Sequence, residues 1–263
     1  MKRQPSGFTD LVGIMDALRS ERGCPWDKEQ SARTLIAYLI EETHELIEAV
    51  EEENPDKIRE ELGDVLFQLL FLARIEKEKG TFDIYDVIAG ISDKMVTRHP
   101  HVFGEGVCET SAEVLKQWDE IKKSEGRHEE SSLSGVPRAL PSLLRAFMIT
   151  DRASRAGFDW NKTGEVLEKL DEELSEFKEA ISLNDPAKIE DELGDILFTV
   201  VNIARFVQIN PEDALRKTIN RFIGRFQHME QSAKNLNNKP LSAMTAAGMD
   251  ALWEAAKREG SYK

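Results

Sequence analysis

The chain has 263 residues, enough for one large domain or two ordinary ones. With 40% apolar and 32% charged residues, 9 prolines and 16 glycines, it has the balance of a helix-rich globular protein and not of a disordered one. A formal net charge of −14 repels phosphate backbones and anionic headgroups, which argues against nucleic acid and membrane surfaces as partners.

No stretch approaches the roughly 18 uninterrupted apolar residues of a membrane helix. The opening MKRQPSGFTD lacks the apolar core of a signal peptide, so the expected location is cytoplasmic. Cys24 and Cys108 lie far apart with no ligand-type spacing and read as structural residues in a reducing compartment.

In chain order, Gly23, Trp26 and Asp27 precede a segment, residues 31–53, in which Leu39, Ile40, Thr43, Leu46, Ile47 and Val50 recur at amphipathic-helix spacing. Asn54 and Pro55 form a helix start, because asparagine caps an N-terminus and proline is tolerated at the first position. The helix that follows carries Glu61 and Asp64 one turn apart and continues as VLFQLLFLA, apolar nearly all round and expected to be buried on most sides. Next come Asp93, Lys94 and Arg98, then Pro100, which ends the helix, and then Trp118 and Lys122. The segment SEGRHEESSLSGVP, residues 124–137, reads as connecting chain.

The same order then begins again. Residues 40–74 read IEETHELIEAVEEENPDKIREELGDVLFQLLFLAR and residues 171–205 read DEELSEFKEAISLNDPAKIEDELGDILFTVVNIAR. Glu41, Glu42, Glu45, Pro55, Glu61 and Asp64 fall on Glu172, Glu173, Glu176, Pro186, Glu192 and Asp195. Trp26 pairs with Trp160, Lys94 and Arg98 with Arg221 and Arg225, and Trp118 and Lys122 with Trp253 and Lys257. No alternating run framed by hairpin turns occurs. The expected fold is therefore all-α, a tandem duplication of a helical-bundle domain, with copies at 1–125 and 138–263 and a linker at 126–137.

Glu41, Glu42 and Glu45 span an arc of about 100° on their helix. Packed antiparallel against Glu61 and Asp64, they form a carboxylate group that must be neutralised by basic partners or divalent cations. Acids without cysteine, and without histidine in both copies, favour Mg²⁺ or Mn²⁺. Solvated ion-paired surface is the ordinary reading of a Glu-rich helix. The second copy keeps all five acids while neighbours drift, as at His44 and Ser175, which favours metal. Glu41 and His44 also form the Glu-x-x-His of di-iron bundles, but Ser175 denies the second copy that pair. The basic pairs sit at i, i+4, which suits polyphosphate oxygens, and each tryptophan offers a flat face to a base.

The EETHE and ELGD segments, repeated as EELSE and ELGD, resemble the Glu-Glu-x-x-Glu and Glu-x-x-Asp signature of the all-α nucleoside triphosphate pyrophosphohydrolases. CPWD at 24–27, RHPHVF at 98–103 and GFDW at 157–160, in tandem order, resemble the two-domain bacterial members of that family. The resemblance implies domains of four or five helices, a homodimer, Mg²⁺ dependence, and broad hydrolysis of ribo- and deoxyribonucleoside triphosphates to monophosphate and pyrophosphate. It also implies that the C-terminal copy works, with Glu173, Glu176, Glu192 and Asp195 as metal ligands beside Glu172. Arg221, Arg225, Trp253 and Lys257 are then nucleotide-binding, with Arg221, Arg225 and Lys257 stabilising phosphate charge and Glu172 orienting or deprotonating water.

The copies differ in ways that fit this division. Asn202, able to hydrogen-bond a base or sugar, stands where the first copy has Phe71, and Trp160 is a further substrate candidate. Glu41, Glu42, Glu45, Glu61 and Asp64 form a possible second metal site. Three rivals are a nucleotide sensor without turnover, a narrow dUTPase-type pyrophosphatase and a purely structural helical protein.

Overall fold

The structure, a computed structural model, describes residues 7–124, 131–237 and 240–259. Residues 126–130 of the expected linker lie outside the described residues. The chain divides into two compact units, residues 1–127 and 128–263, and the described residues contain helices and turns but no strand.

The N-terminal unit comprises α1 (Phe8–Leu18), α2 (Pro25–Glu29), α3 (Leu35–Glu51), α4 (Pro55–Glu78), α5 (Ile84–Arg98), α6 (Pro100–Phe103) and α7 (Ser111–Ser124). The C-terminal unit comprises α8 (Ser142–Arg155), α9 (Thr163–Leu183), α10 (Pro186–Phe206), α11 (Pro211–Asn237), a 3₁₀ turn at Leu241–Ala243 and α12 (Ala246–Glu259). The short α2 and α6 each begin at a proline, whose missing N–H costs nothing in a first turn. Arg98 is the last residue of α5, so Pro100 ends the helix that its counterpart α11 continues through.

The central element of each unit is a helical hairpin, α3 with α4 and α9 with α10. Both hairpins turn the same way. Glu53 and Asn184, at equivalent positions, adopt left-handed backbone with φ of 52° and 51°. The next residue caps the second helix: Asn54 accepts from the backbone N–H groups of Asp56 and Lys57, and Asp185 from those of Ala187 and Lys188.

In the N-terminal unit Met15, Leu35, Phe71 and Ile75 form the buried core, so α1 closes the hairpin from one side. Arg19, at the end of α1, donates to both carboxylate oxygens of Glu78 at 2.7 Å and to the backbone carbonyls of Asp27 and Gln30, tying α2 down. In the C-terminal unit Val166 and Val201 are fully buried between α9 and α10. Arg205 donates to Asp159 and to the Asn202 amide oxygen, and the Ser154 hydroxyl donates to Asp159, which fastens the segment after α8 to α10.

The expectation that VLFQLLFLA is buried on most sides holds: of residues 65–73 Leu66 and Leu69 alone are exposed. Leu62, Leu66 and Leu69 on α4, and their counterparts Leu193, Leu197 and Val200 on α10, are exposed in one stripe per helix. Leu66 and Leu69 line an apolar cavity with Phe8, Phe82, Ile84, Val87 and Ile88, and among the described residues the other stripe positions stay exposed. α11 adds exposed Leu215, Ile219, Phe222, Ile223 and Phe226 at helical spacing.

Because the Asp185 carboxylate satisfies two N–H groups that otherwise have no intrahelical partner, Asp185→Ala is expected to lower unfolding stability by about 1 kcal/mol. Denaturant unfolding followed by circular dichroism checks this.

Candidate active site

Each hairpin brings acids from its two helices together. On α3 Glu42 and Glu45 lie one turn apart, as Glu173 and Glu176 do on α9. The antiparallel partner contributes Glu61 or Glu192 from its second turn. One carboxylate oxygen from each of Glu42, Glu45 and Glu61 lies within 4.8 Å of the others, and the same holds for Glu173, Glu176 and Glu192. Asp64 and Asp195, one turn further along, lie close enough to act electrostatically on Glu42 and Glu192 respectively. Glu41 and Glu172 stand outside the two groups of three.

The crowding raises carboxyl pKa values. Burial, then Asp64 and Glu45, push Glu42 above the ordinary glutamate range, while a hydrogen bond from Gln68 opposes them. Burial, Glu45 and Asp64 raise Glu61, and burial, Glu176, Glu173 and Asp195 raise Glu192, with Lys188 opposing. Both clusters therefore present oxygen donors with negative charge in excess, a donor set that fits Mg²⁺ or Mn²⁺ and offers a softer metal nothing.

Lys169 distinguishes the C-terminal cluster. Its ammonium lies 2.8 Å from Glu172 Oε1 and 2.8 Å from Glu173 Oε1, and these hydrogen bonds hold its pKa above the usual lysine range. Glu173 is 5% exposed. Sequence reasoning passed over this lysine, although it stands four residues before Glu173 at the spacing of helix ion pairs, opposite Tyr38 in the other copy. It also passed over Gln68, whose counterpart is Thr199.

The expected nucleotide-binding residues form a second group on α11 and α12. The Arg225 guanidinium lies 5.7 Å from the Trp253 ring centre and the Lys257 ammonium 6.0 Å from it, with Phe222 at 5.4 Å. Lys257 also pairs with Glu254 at 2.7 Å, while Arg221 donates to the Thr218 hydroxyl. Among the described residues Arg221, Arg225 and Lys257 make no ion pair with the clustered acids, and the charges that act most on Glu192 come from α9 and α10. Within one chain the structure thus forms an acidic cluster and an aromatic-cationic cluster and does not join them. Asn202 is 2% exposed with its oxygen accepting from Arg205, and Trp160 is half-buried with its backbone N–H donating to Asp159.

The equivalent aromatic position in the N-terminal unit has other neighbours. Trp118 meets the edge of His99 at 5.3 Å, and His99 lies 5.5 Å from His101, whose ring bonds to Gln117. Arg98, the counterpart of Arg225, is 4% exposed. The break at Pro100 folds this region back where α11 runs on.

Two helical hairpins with paired acidic clusters define a tandem all-α protein of a recognisable kind. The MazG nucleotide pyrophosphohydrolase domain matches residues 30–103 and 162–230, and the chain belongs to that family. It is accordingly a hydrolase acting on phosphoric anhydrides. It is 43% identical to the nucleoside triphosphate pyrophosphohydrolase/pyrophosphatase MazG of Thermotoga maritima over 98% of each chain. It is 41% identical to the nucleoside triphosphate pyrophosphohydrolase of Escherichia coli over 95% of this chain and 96% of that one. A crystal structure of a mazG-related protein from Thermotoga maritima aligns with 44% of this chain and 98% of its own, at 32% identity and a TM-score of 0.39. No helix among the described residues is long and apolar enough to cross a membrane.

A carboxyl whose pKa is raised on folding stabilises the native state below its unfolded value and loses that contribution as pH rises through the folded value. At neutral pH the crowded acids therefore oppose folding. Glu192→Gln is expected to raise the thermal unfolding midpoint at pH 7.5 without added divalent ions and to leave it nearly unchanged at pH 4. A pair of melting curves at each pH checks this.

Proposed function

We propose that this chain is a nucleoside triphosphate pyrophosphohydrolase that releases the monophosphate and pyrophosphate from both ribo- and deoxyribonucleotides with little selection among bases. The observation that carries the proposal is the Glu173, Glu176 and Glu192 cluster, in a chain that matches relatives of that name along nearly their whole length. Glu173, Glu176, Glu192 and Asp195 would hold Mg²⁺, or Mn²⁺ in its place. When bound, the ion neutralises the triphosphate and makes water a better nucleophile.

The rest is done by the chain's own residues. Glu172 is exposed beside the cluster, where it can orient the attacking water and accept its proton. Lys169 on α9 and Lys188 on α10 each bring positive charge to the clustered acids. Trp253 offers a ring face to the base, and Arg225, Lys257 and Arg221 offer cations to the phosphates. Stacking on a ring tolerates any base, and the Asn202 oxygen is already engaged by Arg205, which supports broad action over a narrow dUTPase-type preference.

Incubation with Mg²⁺ and each triphosphate, with both products quantified, tests the proposal. Glu173→Ala or Asp195→Ala is expected to lower turnover by about 100-fold or more, and Glu42→Ala to leave most of it. Equal losses from both copies would assign the work wrongly, and binding without turnover would make the chain a sensor.

The proposal includes a homodimer. The exposed stripes on α4, α10 and α11 form apolar surface of the kind that another subunit covers, and a second copy can bring its α11 arginines to acids that this chain's own α11 does not reach. Light scattering is expected to give twice the chain mass, and Leu197→Asp the single mass. A monomeric parent chain at micromolar concentration would exclude the dimer.

A further inference from the structure

Among the described residues, the C-terminal cluster has an ammonium ion-paired to it and the N-terminal cluster does not. Lys169 bridges Glu172 and Glu173 at 2.8 Å each, and Glu173 is 5% exposed, so this carboxylate faces an ammonium more than it faces water. The equivalent position in the first copy is Tyr38, packed edge-on to Trp26 at 5.7 Å, and Glu42 there receives only a hydrogen bond from neutral Gln68. Lys188 does not make the difference, because Lys57 stands at the same place before Glu61.

A divalent ion approaching Glu173 meets the repulsion of an ammonium already bound to it and must displace that ammonium or sit beside it. Triphosphate oxygens supply another anionic partner for the lysine. Resting on the metal-dependent reading above, we propose that Lys169 is a positioning residue that couples cation loading to polyphosphate at the C-terminal cluster. It occupies a carboxylate of the cluster so that a divalent ion alone binds weakly, and it yields Glu173 when phosphate arrives.

The test uses the full chain carrying Glu42→Gln and Glu61→Gln, which removes binding at the N-terminal acids. Free Mn²⁺ is measured by electron paramagnetic resonance, alone and with a non-hydrolysable triphosphate analogue. Lys169→Met is expected to tighten binding of Mn²⁺ alone by about tenfold and to shrink the gain from the analogue correspondingly, while Lys169→Arg retains the parent behaviour. Should Lys169→Met fail to give a native melting curve, Lys169→Gln carries the same expectation. Mn²⁺ binding that Glu173→Gln weakens but loss of the lysine leaves unchanged would overturn this inference and leave the metal reading standing. No Mn²⁺ bound by the parent chain, with or without the analogue, would overturn the metal reading itself.

Discussion

Mutual repulsion among carboxylates is the constraint around which each unit is arranged. The apolar faces of two antiparallel helices pack, burying Val166 and Val201 fully in one copy, and that packing carries three glutamates to within 4.8 Å of one another whether or not their charges agree. Burial and like charge then raise Glu42, Glu61 and Glu192 together, so the hydrophobic contact of the hairpin works against the electrostatics at its end. A structure of this kind persists where counter-charge is at hand. Lys169 supplies some of it in one copy, and an oxygen-loving cation fits the remainder in both.

One scaffold used twice shows which positions the scaffold needs and which the chemistry changes. The caps Asn54 and Asp185, the left-handed residues before them and the exposed leucines of the second helices serve both copies alike. The differences lie at other positions. Phe71 belongs to the core of one hairpin, whereas Asn202 joins Arg205 and Asp159 in the other. Trp118 lies against histidine, and Trp253 against Phe222 and two cations. Substitution at these positions has changed other side-chain groupings without altering how the acids are held.

Much of this was legible in the sequence, and the limits have physical causes. Helical periodicity and the two Asn/Asp-Pro caps placed the hairpins, because both signals act within a turn or two of chain. Internal repetition picked out the acids, and the structure brings Glu42, Glu45 and Glu61, and Glu173, Glu176 and Glu192, together. The grouping of Trp253 with Arg225 and Lys257 was foreseen only as a shared role. Its separation from the acids depends on how α11 leaves the hairpin, which no local pattern encodes. VLFQLLFLA is buried on most sides as its composition implied, but the exposure of Leu66 and Leu69 was not legible, since an apolar stripe reads alike whether its cover comes from the same chain or from elsewhere. Lys169 escaped notice because attention to matching positions hides the residue that differs.

The left-handed link at Asn184 has a consequence for how such a chain can vary. Each residue added to a helix rotates everything beyond it by about 100°, so one extra residue between α9 and α10 would either break the Asp185 cap or swing Glu192 out of line with Glu173 and Glu176. The joint is thus a phasing device, and its length is fixed by the chemistry it aligns. Segments outside the hairpins carry no such phase, and lengthening or shortening there leaves the alignment of acids intact. Natural length variation among proteins built on this hairpin is expected to collect away from that joint.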